Sequence, residues 1–465
     1  MLKRLRIQNF KCWQDTGDIK LAPLTLLFGT NSSGKSSIGQ FLMMLKQTAD
    51  RGDRKSAFYL GAGAKDSTVQ LGSFRDIVFH HDIKREISFE YDWTLPEPEE
   101  VTDARSGKEY KWDVMSFAAC VAFREKNAIP YVRSLRYDLH NGDREVMDVA
   151  LTRCGNGDYK LDSKAYKLVR NHARAWSVKN TVRFYGFPDE VNTYYQNSQF
   201  VQTLNYQQER LFKQIGYLGP MRCRPDRIYP WSGNEPDGIG DLGEYTIPAM
   251  LAAGERLLNF ASKGKRRPFQ AVIADSLKKL GLIDEFRVEP LSKDSRREFE
   301  VKVKTRNSKD WVDLPDVGFG ISQVLPVLVA CFYAPPGSTL LIEEPEIHLH
   351  PSAQSCLADI FIDVLNAREG GKKRDVQLIV ETHSEHLLRR LQRRIAEKAI
   401  RHEDAVAYFV DTSVSPTTLK HLKVDVYGNI LNWPKDFFGN EMEDVIVQTR
   451  IAIQRFNEKL PAKVN

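Results

Sequence analysis

Two stretches of this sequence combine residue types that could do phosphate chemistry. The first, GTNSSGKS from Gly29 to Ser36, fits the pattern G-x-x-x-x-G-K-[ST]. Its glycines let successive N–H groups point inward at a phosphate, and a following helix adds its positive end. In such a turn the lysine reaches the β- and γ-phosphates and the serine ligates Mg²⁺, so ATP and Mg²⁺ are the predicted cofactors. The predicted nucleotide-binding residues of this turn are Asn31, Gly34, Lys35, Ser36 and Ser37.

The second stretch is an apolar run that ends in two adjacent glutamates, within STLLIEEPEIHLHP. Leu340–Ile342 is predicted to be a buried strand, and buried carboxylates are costly unless a cation or hydrogen bonds satisfy them. In phosphoryl-transfer sites one such acid holds Mg²⁺ and a neighbouring group orients the attacking water. We therefore assign the metal-side role to Glu343 and the catalytic role to Glu344. The usual metal-side residue is Asp, and the alternative for the pair is an exposed acidic strand end.

The first stretch has the flanking elements that this chemistry requires. LTLLF, directly before the turn, predicts a strand. After the turn, apolar residues recur at the i, i+3, i+4, i+7 spacing of an amphipathic helix, at Ile38, Phe41, Leu42 and Leu45. The alternative, an ordinary Gly/Ser turn, requires neither element.

The rest of the chain alternates between strand and helix patterns. From about 85 to 200, short aromatic and β-branched runs broken by Gly, Pro and Asn predict an inserted β-rich region. Residues 246–284 are predicted to be helical, and the strict alternation of EFEVKVKT (298–305) predicts a strand. VQLIV (376–380) predicts a further strand, followed by a helix over 384–397.

Composition excludes several classes of protein. Of the 465 residues 28% are charged and 42% hydrophobic, which is ordinary for a soluble globular protein. No apolar run approaches the ~18 residues needed to cross a bilayer, and the start does not resemble a signal peptide. The six scattered cysteines indicate reduced thiols, so we expect a cytoplasmic protein without a membrane partner. The basic clusters SKGKRRPF, GGKKRD and RRLQRR could bind nucleic acid or form solvated surface.

Taken in order, these motifs resemble the ABC-type ATPase heads of the Rad50/SMC kind, and within that group the OLD-like, AAA-15 and AAA-21 ATPases. The opening through GTNSSGKSS is similar to the beginning of that family, and GFGISQVLPVL stands where its signature motif belongs. LIEEPEIHLHP resembles its Walker B motif plus D-loop, and LIVETHSEHLL its switch strand. The resemblance covers about 1–80 and 311–395, with YLGPMR and YGNILNWPKDFF as shorter matches.

The resemblance implies roles for further residues. In that family two heads sandwich ATP, so Gly320, Ser322 and Gln323 would cap a nucleotide held by another protomer; a plain helix cap is the alternative. His383 would contact the γ-phosphate, against the alternative of an ordinary core or surface histidine. Gln70 would be the glutamine that links Mg²⁺ to the inserted lobe.

The resemblance also implies the fold: an α/β, ABC-type P-loop ATPase head, with a mixed sheet flanked by helices and an inserted β-rich and helical lobe. The predicted divisions are the N-terminal half of the head, the β-rich insertion, a helical segment with a rejoining strand, the C-terminal half of the head, and a terminal WPxxFF element with a helix. Their bounds are 1–84, 85–235, 236–310, 311–420 and 421–465.

The function implied is an ATP-hydrolysing switch that dimerises around ATP and controls a separate effector protein. No acid-rich Toprim pattern and no long heptad arm is evident in the sequence, so the chain looks like the ATPase subunits of antiphage systems such as PARIS and Septu. A nuclease or Toprim-like effector and a phage protein or nucleic-acid trigger would be its partners. Two alternatives stay open: an SMC-like ATPase of DNA repair or DNA-end processing, and a scaffold that binds ATP with little turnover.

Overall fold

The structure is a computed structural model of the chain. It describes residues 1–61, 63, 67–103, 106–171, 177–261, 264–292, 297–306, 308–434, 437 and 441–458.

The strands and helices are numbered separately, each in chain order. The strands are β1 Leu2–Phe10, β2 Trp13–Asp15, β3 Ile19–Lys20, β4 Leu24–Gly29, β5 Ile87–Thr102, β6 Glu109–Arg124, β7 Ile129–Asn141, β8 Arg144–Arg153, β9 Tyr159–Asp162, β10 Ile215–Leu218, β11 Tyr229–Pro230, β12 Leu257–Asn259, β13 Arg267–Pro268, β14 Ile283–Pro290, β15 Glu298–Thr305, β16 Val312–Asp313, β17 Thr339–Glu343, β18 Arg368–Glu369, β19 Lys372–Lys373, β20 Gln377–Glu381, β21 Ala405–Asp411 and β22 Thr418–Leu422. The helices are α1 Lys35–Asp50, α2 Phe74–Ile77, α3 Glu190–Tyr194, α4 Phe200–Lys213, α5 Thr246–Ala252, α6 Phe269–Lys279, α7 Phe319–Tyr333, α8 Pro351–Asn366, α9 Glu385–Ala396 and α10 Glu441–Glu458.

A six-stranded sheet carries the two stretches singled out in the sequence. Its order is β10-β17-β20-β4-β21-β22, and all neighbours are parallel except the last pair. The central strands β17 and β20 are buried along their whole length, as expected for a parallel sheet covered on both faces. The carboxyl ends of β17, β20 and β4 therefore meet at one edge of the sheet.

The parallel sheet separates two hydrophobic cores. Because side chains alternate along a strand, Leu341 and Ile379 pack into one core together with α1, α4 and the β-rich lobe. Their neighbours Ile342 and Leu378 pack into the other core with α5 to α9. The strand ends that could bind a ligand are thus held by packing on both sides.

The β-rich region forms an eight-stranded antiparallel sheet with the N-terminal strands. Its order is β2-β1-β5-β6-β7-β8-β9, with β3 paired to β1. The predicted boundary at 84/85 divides β1 from β5, which are hydrogen-bonded neighbours, and the predicted insertion contains β10, which belongs to the parallel sheet. The domain division stays a prediction.

Most predicted elements of the C-terminal half occur within one or two residues of their predicted bounds. The strand predicted over 298–305 coincides with β15. The prediction that 246–284 is helical was wrong, because α5 ends at Ala252 and two short strands precede α6. Gly254 and the polar stretch before Pro268 interrupt the helical pattern there.

The terminal WPxxFF element contacts the head through aromatic rings. Phe437 lies 4.8 Å from Phe409 and 5.5 Å from Phe28, measured between ring centroids. Phe438, the last residue of this element, lies outside the described residues. All six cysteines are free thiols. Within the described residues, none of the helices is both long and apolar enough to span a membrane.

Candidate nucleotide site

The turn after β4 wraps around the amino end of α1. Gly34 adopts a left-handed conformation with φ 104°, and a Cβ there would lie 2.2 Å from the Cys12 sulfur, so only glycine fits. Lys35 is buried, and its amino group donates to the carbonyl oxygens of Gly29 at 3.0 Å and Thr30 at 2.8 Å. The lysine therefore lies folded back inside the turn, where a phosphate could take over its donors.

The next two strand ends each present a glutamate. Glu343 ends β17 and Glu381 ends β20, and the two are paired residues of the parallel ladder. The Ser36 hydroxyl donates to Glu381 Oε1 at 2.9 Å, and Lys35 Nζ lies 3.8 Å from the same oxygen. The predicted metal-binding serine thus contacts a carboxylate directly.

Glu381 was missed by reasoning from the sequence. A signal was present, because QLIVE has the same form as TLLIE, an apolar strand that ends in an acid. Two parallel strands of this form place both acids at the same edge of the sheet. The switch-strand resemblance pointed to His383, which follows Glu381 by two residues, and assigned no role to Glu381 itself.

Glu344 and His383 lie together on the open side of the site. The backbone N–H of Glu344 donates to the Glu381 carbonyl at 2.8 Å, and Glu344 takes the left-handed φ of 45° that turns its side chain off the strand. His383 Nε2 lies 3.8 Å from Glu344 Oε1. The backbone N–H of His383 donates to Glu346 Oε1 at 2.6 Å, which fixes the switch strand against the acidic loop.

Glu343 is more buried than Glu344 and His383. Residues of the YLGPMR segment (217–222) hold it in place. The Tyr217 hydroxyl donates to Glu343 Oε1 at 3.0 Å, and Arg222 donates to the Glu343 carbonyl at 2.9 Å. Arg222 is buried, and its Nε and Nη1 have no hydrogen-bond partner within the described residues. This segment was predicted to be family-like, without roles for its residues.

Burial dominates the electrostatics of the site. It raises the pKa of Glu381 from 4.5 to about 7, with the nearby charge of Glu343 as the next cause. Burial likewise raises the pKa of Glu343 and lowers the pKa of Lys35. For His383, burial first and Lys35 second lower the pKa of the imidazole. The site is thus a buried cluster of carboxylates in which a cation would be stabilised.

Part of this group, but not the predicted metal-side residue Glu343, lines one cavity of about 370 Å³. This volume lies within the range of roughly 300–1,000 Å³ that is usual for small-ligand sites. The cavity is lined by Asn31, Ser32, Ser33, Gly34, Lys35, Ser36, Ser37, Gln40, Glu344, Glu381 and His383.

Several predicted site residues lie outside this cavity. Gly320, Ser322 and Gln323 occupy the first turn of α7, where the Ser322 hydroxyl donates to the Phe319 carbonyl. A Cβ on Gly320 would lie 3.1 Å from the His348 carbonyl oxygen, so this turn packs against the loop after the acidic strand. Gln70 is exposed on the loop before α2 and is not among the lining residues.

The donors at the strand ends suit a magnesium ion. Mg²⁺ prefers oxygen ligands and is usually held by one or two carboxylates together with substrate phosphates. Ser36 and Glu381 supply such oxygens, and the buried Ser33 hydroxyl in the same turn has no partner in the described structure. Among the described residues, no three His, Cys, Asp or Glu side chains form a metal site by themselves. The oxygens of Ser36 and Glu381 fit an ion that binds together with a phosphate group.

Family models of ATPase domains match both halves of this site. Residues 1–184 match the model described as "AAA ATPase domain", and residues 244–389 match "AAA domain, putative AbiEii toxin, Type IV TA system". Residues 400–447 match a "Protein of unknown function (DUF3696)". The matched segments contain the phosphate-binding turn, the acidic strand and the switch strand. They confirm the predicted class, a P-loop ATPase head with a mixed sheet flanked by helices.

A curated relative matches a shorter part of the chain. An "ATP/GTP phosphatase" of Helicobacter pylori (strain ATCC 700392 / 26695) is 31% identical over 104 residues, which is 22% of this chain. The match spans 27% of the length of that relative.

Three solved structures align along most of the chain at low similarity. An SMC head bound to the C-terminal winged-helix domain of ScpA is 12% identical with a TM-score of 0.42, over 91% of this chain and 98% of the other. An Smc head with an extended coiled coil bound to the C-terminal domain of ScpA, from Pyrococcus furiosus, is 10% identical with a TM-score of 0.42, over 97% and 99%. An SMC head from Thermotoga maritima is 11% identical with a TM-score of 0.37, over 91% and 99%.

Proposed function

We propose that this chain binds Mg²⁺·ATP in the cavity of about 370 Å³ and hydrolyses it. The observation that carries the proposal is the convergence of Lys35, Ser36, Glu344, Glu381 and His383 on that one cavity. The cavity thus combines the phosphate-binding turn, the Ser36 hydroxyl that could bind the ion, and the Glu344 carboxylate that could act on water. The ATPase-domain models that match both segments support the same activity.

The contacts of each side chain indicate the role that we assign to it in binding Mg²⁺·ATP. The Lys35 amino group would exchange the carbonyls of Gly29 and Thr30 for phosphate oxygens, at little cost because it is already buried. The Ser36 hydroxyl would turn from Glu381 to the ion. Ser36 and Glu381 would hold Mg²⁺, which would neutralise charge on the phosphates, while Glu343 does not line the cavity and would add negative charge beside Glu381.

Glu344 is the group that would act on the attacking water. Its side chain is about one-third exposed and faces the cavity, unlike the buried Glu343. His383 stands beside it on the same side and would donate to the terminal phosphate, as the predicted sensor. Positioning and charge neutralisation are the main sources of catalysis in phosphoryl transfer, so this arrangement suffices without a covalent step.

We further propose that hydrolysis serves a switch. Two copies would close around ATP with the first turn of α7, bearing Gly320, Ser322 and Gln323, capping the nucleotide of the partner. Closure would hold or present a separate effector protein, and a phage protein or nucleic acid would trigger its release. The description of the model matching residues 244–389, which concerns a toxin–antitoxin system, supports a role in defence.

Replacement of Glu344 by Gln tests the proposed chemistry. Because loss of a general base typically lowers a rate by about 10²- to 10⁴-fold, phosphate release should fall by that factor while Mg²⁺·ATP is still bound. Lys35→Ala should instead weaken ATP binding by at least about 10-fold, since it removes charge-assisted hydrogen bonds. Phosphate release and equilibrium binding of ATP measure the two effects separately.

Glu385→Gln serves as the matched control. Glu385 begins α9, two residues after His383, and pairs with Arg389 outside the cavity, so its loss should leave turnover unchanged. Turnover of Glu344→Gln at the rate of the unmodified chain would remove Glu344 from the catalytic role. Unchanged ATP affinity in Lys35→Ala would contradict the site as a whole.

A further inference from the structure

A second cavity, of about 1040 Å³, lies at the free edge of the parallel sheet. β10 is the outermost strand at this edge in the described part of the chain. The cavity is bounded by β10 and β17, by α4 and the end of α1 on one side, and by the loop 236–241 on the other. It shares no lining residue with the cavity at the phosphate-binding turn.

The interior of this cavity is mainly apolar. Sites for small organic molecules are typically concave and apolar, with a few polar groups that orient the ligand. Apolar and aromatic side chains form most of the wall, among them Leu218, Ile239, Tyr245, Tyr333 and Pro335.

Two cations at the mouth are free to bind an anion. Arg210 and Lys213 lie one turn apart on α4, and neither forms an ion pair within the described residues. Lys46, by contrast, is held by Asp50 at 3.1 Å and by a backbone carbonyl.

Acids line the cavity as well, two of them on the loop 236–241 and one, Asp50, paired with Lys46 at the end of α1. Asp237 and Asp241 lie on the loop 236–241, and Asp241 also interacts with Thr68. A negative group would be repelled there and attracted to α4.

Tyr217 connects this cavity to the metal side of the nucleotide site. Its side chain lines the cavity, and its hydroxyl donates to Glu343 Oε1 at 3.0 Å. Leu341 and Ile342, the two residues before Glu343, line the same cavity. A molecule packed against Tyr217 and β17 would therefore act on the position of Glu343.

We propose that this cavity binds an amphipathic anion, a molecule with an apolar body and one carboxylate, sulfonate or phosphate group. The apolar body fills the space beside β10, and the anionic group pairs with Arg210 and Lys213. Occupancy is coupled to binding of the Mg²⁺·nucleotide through Tyr217. The coupling, unlike the binding itself, rests on the proposed function.

Binding is tested on the full chain without nucleotide, with 8-anilinonaphthalene-1-sulfonate as the probe. We expect one saturable site. Gly238 lines the cavity and has open space where a Cβ would stand, so Gly238→Trp should fill the cavity and abolish binding. Gly155→Trp, at an exposed turn of the β-rich lobe with equal space, is the matched control and should bind normally.

The charge requirement is tested with a neutral probe of similar shape, N-phenyl-1-naphthylamine. Replacing Arg210 and Lys213 by Gln should weaken the sulfonate about 5- to 10-fold and leave the neutral probe unchanged. Absence of a saturable site, binding that survives Gly238→Trp, or equal effects on both probes would overturn the proposal.

The coupling is tested by measuring sulfonate affinity with and without Mg²⁺ and a slowly hydrolysed ATP analogue. Because linkage is reciprocal, we expect a change of about 5-fold or more in the unmodified chain. Tyr217→Phe keeps the ring but removes the hydroxyl, so it should retain probe affinity and lose the change. If the analogue binds by an independent assay and probe affinity stays constant, the link through Tyr217 is wrong. If the analogue does not bind, the proposed function is contradicted. The proposal that the cavity binds an amphipathic anion is then tested only by the binding of the two probes.

Discussion

At the scale of single residues, the decisive feature is the crowding of carboxylates at the ends of two neighbouring strands. Glu343 and Glu381 are both buried, and hydrogen bonds together with the charges of Lys35 and Arg222 offset part of the cost of their ionisation. Buried acids of this kind cost stability unless they are protonated or paired. The protein therefore maintains an arrangement that becomes favourable when a cation is present.

This cost predicts a pH-dependent effect of Glu381→Gln on the free energy of unfolding. The pKa of Glu381 is raised to about 7 in the folded chain, so its ionised form destabilises the fold. That destabilisation is absent below the unfolded pKa of 4.5 and complete above about 7. The variant should thus gain roughly 2–3 kcal/mol relative to the unmodified chain between pH 5 and pH 8.

Denaturant unfolding of both chains in EDTA, without nucleotide, measures this difference. The buffers should span pH 5 to pH 8 at constant ionic strength. A difference that stays flat or shrinks as the pH rises would show that Glu381 is not a buried, destabilised carboxylate.

Reasoning from the sequence found the residues that belong to contiguous motifs. Lys35, Ser36 and Glu344 were predicted from local patterns and His383 from the family resemblance, and the fold brings them to one cavity. Glu381 and Tyr217 were not predicted to belong to the site, because their roles arise from strand order and from packing between distant segments. The acid at the end of QLIVE was a local signal for Glu381, but strand order and the contact of Tyr217 with Glu343 are not contained in residue types and local spacing.

At the scale of elements, the basic cluster on α9 is used for packing. Arg394 makes two hydrogen bonds to Asp359 of α8, at 2.6 and 3.0 Å, and Arg390 lies 3.7 Å from the same carboxylate. Arg393 pairs with Glu397 on its own segment. Of the cluster GGKKRD, Arg374 is fully buried and donates to backbone carbonyls. These contacts favour the interpretation as structural charges over a surface for nucleic acid.

Asp359→Asn should lower the free energy of unfolding by about 2 kcal/mol. The acid is buried between two arginines, and the change removes the charge that pairs with them. Arg393→Gln is the matched control on the same helix, since its ion pair is exposed and should contribute nothing measurable. Equal losses in both variants would contradict the structural role of the buried pair.

The prediction of elements succeeded where the side-chain pattern was strong. The strictly alternating strand β15 and the amphipathic helix α1 follow directly from hydrophobic spacing. The whole of 246–284 was predicted to be helical, but it contains strand β12. This strand forms because it pairs with β18, more than 100 residues further along the chain. Local sequence propensity contains no information about a distant partner strand such as β18.

At the scale of the whole molecule, the parallel sheet holds the nucleotide site between two separate cores. The site uses only one edge of that sheet, and the proposed signature turn at the start of α7 does not line the cavity of its own chain. Phe319 in this turn is 64% exposed, so a second copy could reach it. A sandwich of two chains around ATP would place each turn over the cavity of the other.

The most direct test of this account is an experimental structure of Glu344→Gln with Mg²⁺·ATP. We predict the triphosphate in the cavity beside Lys35, with the lysine released from Gly29 and Thr30 and the Ser36 hydroxyl turned from Glu381 to the ion. The first turn of α7 from a second copy should cover the terminal phosphate. A nucleotide bound elsewhere, with Lys35 still folded back onto the turn, would contradict the account.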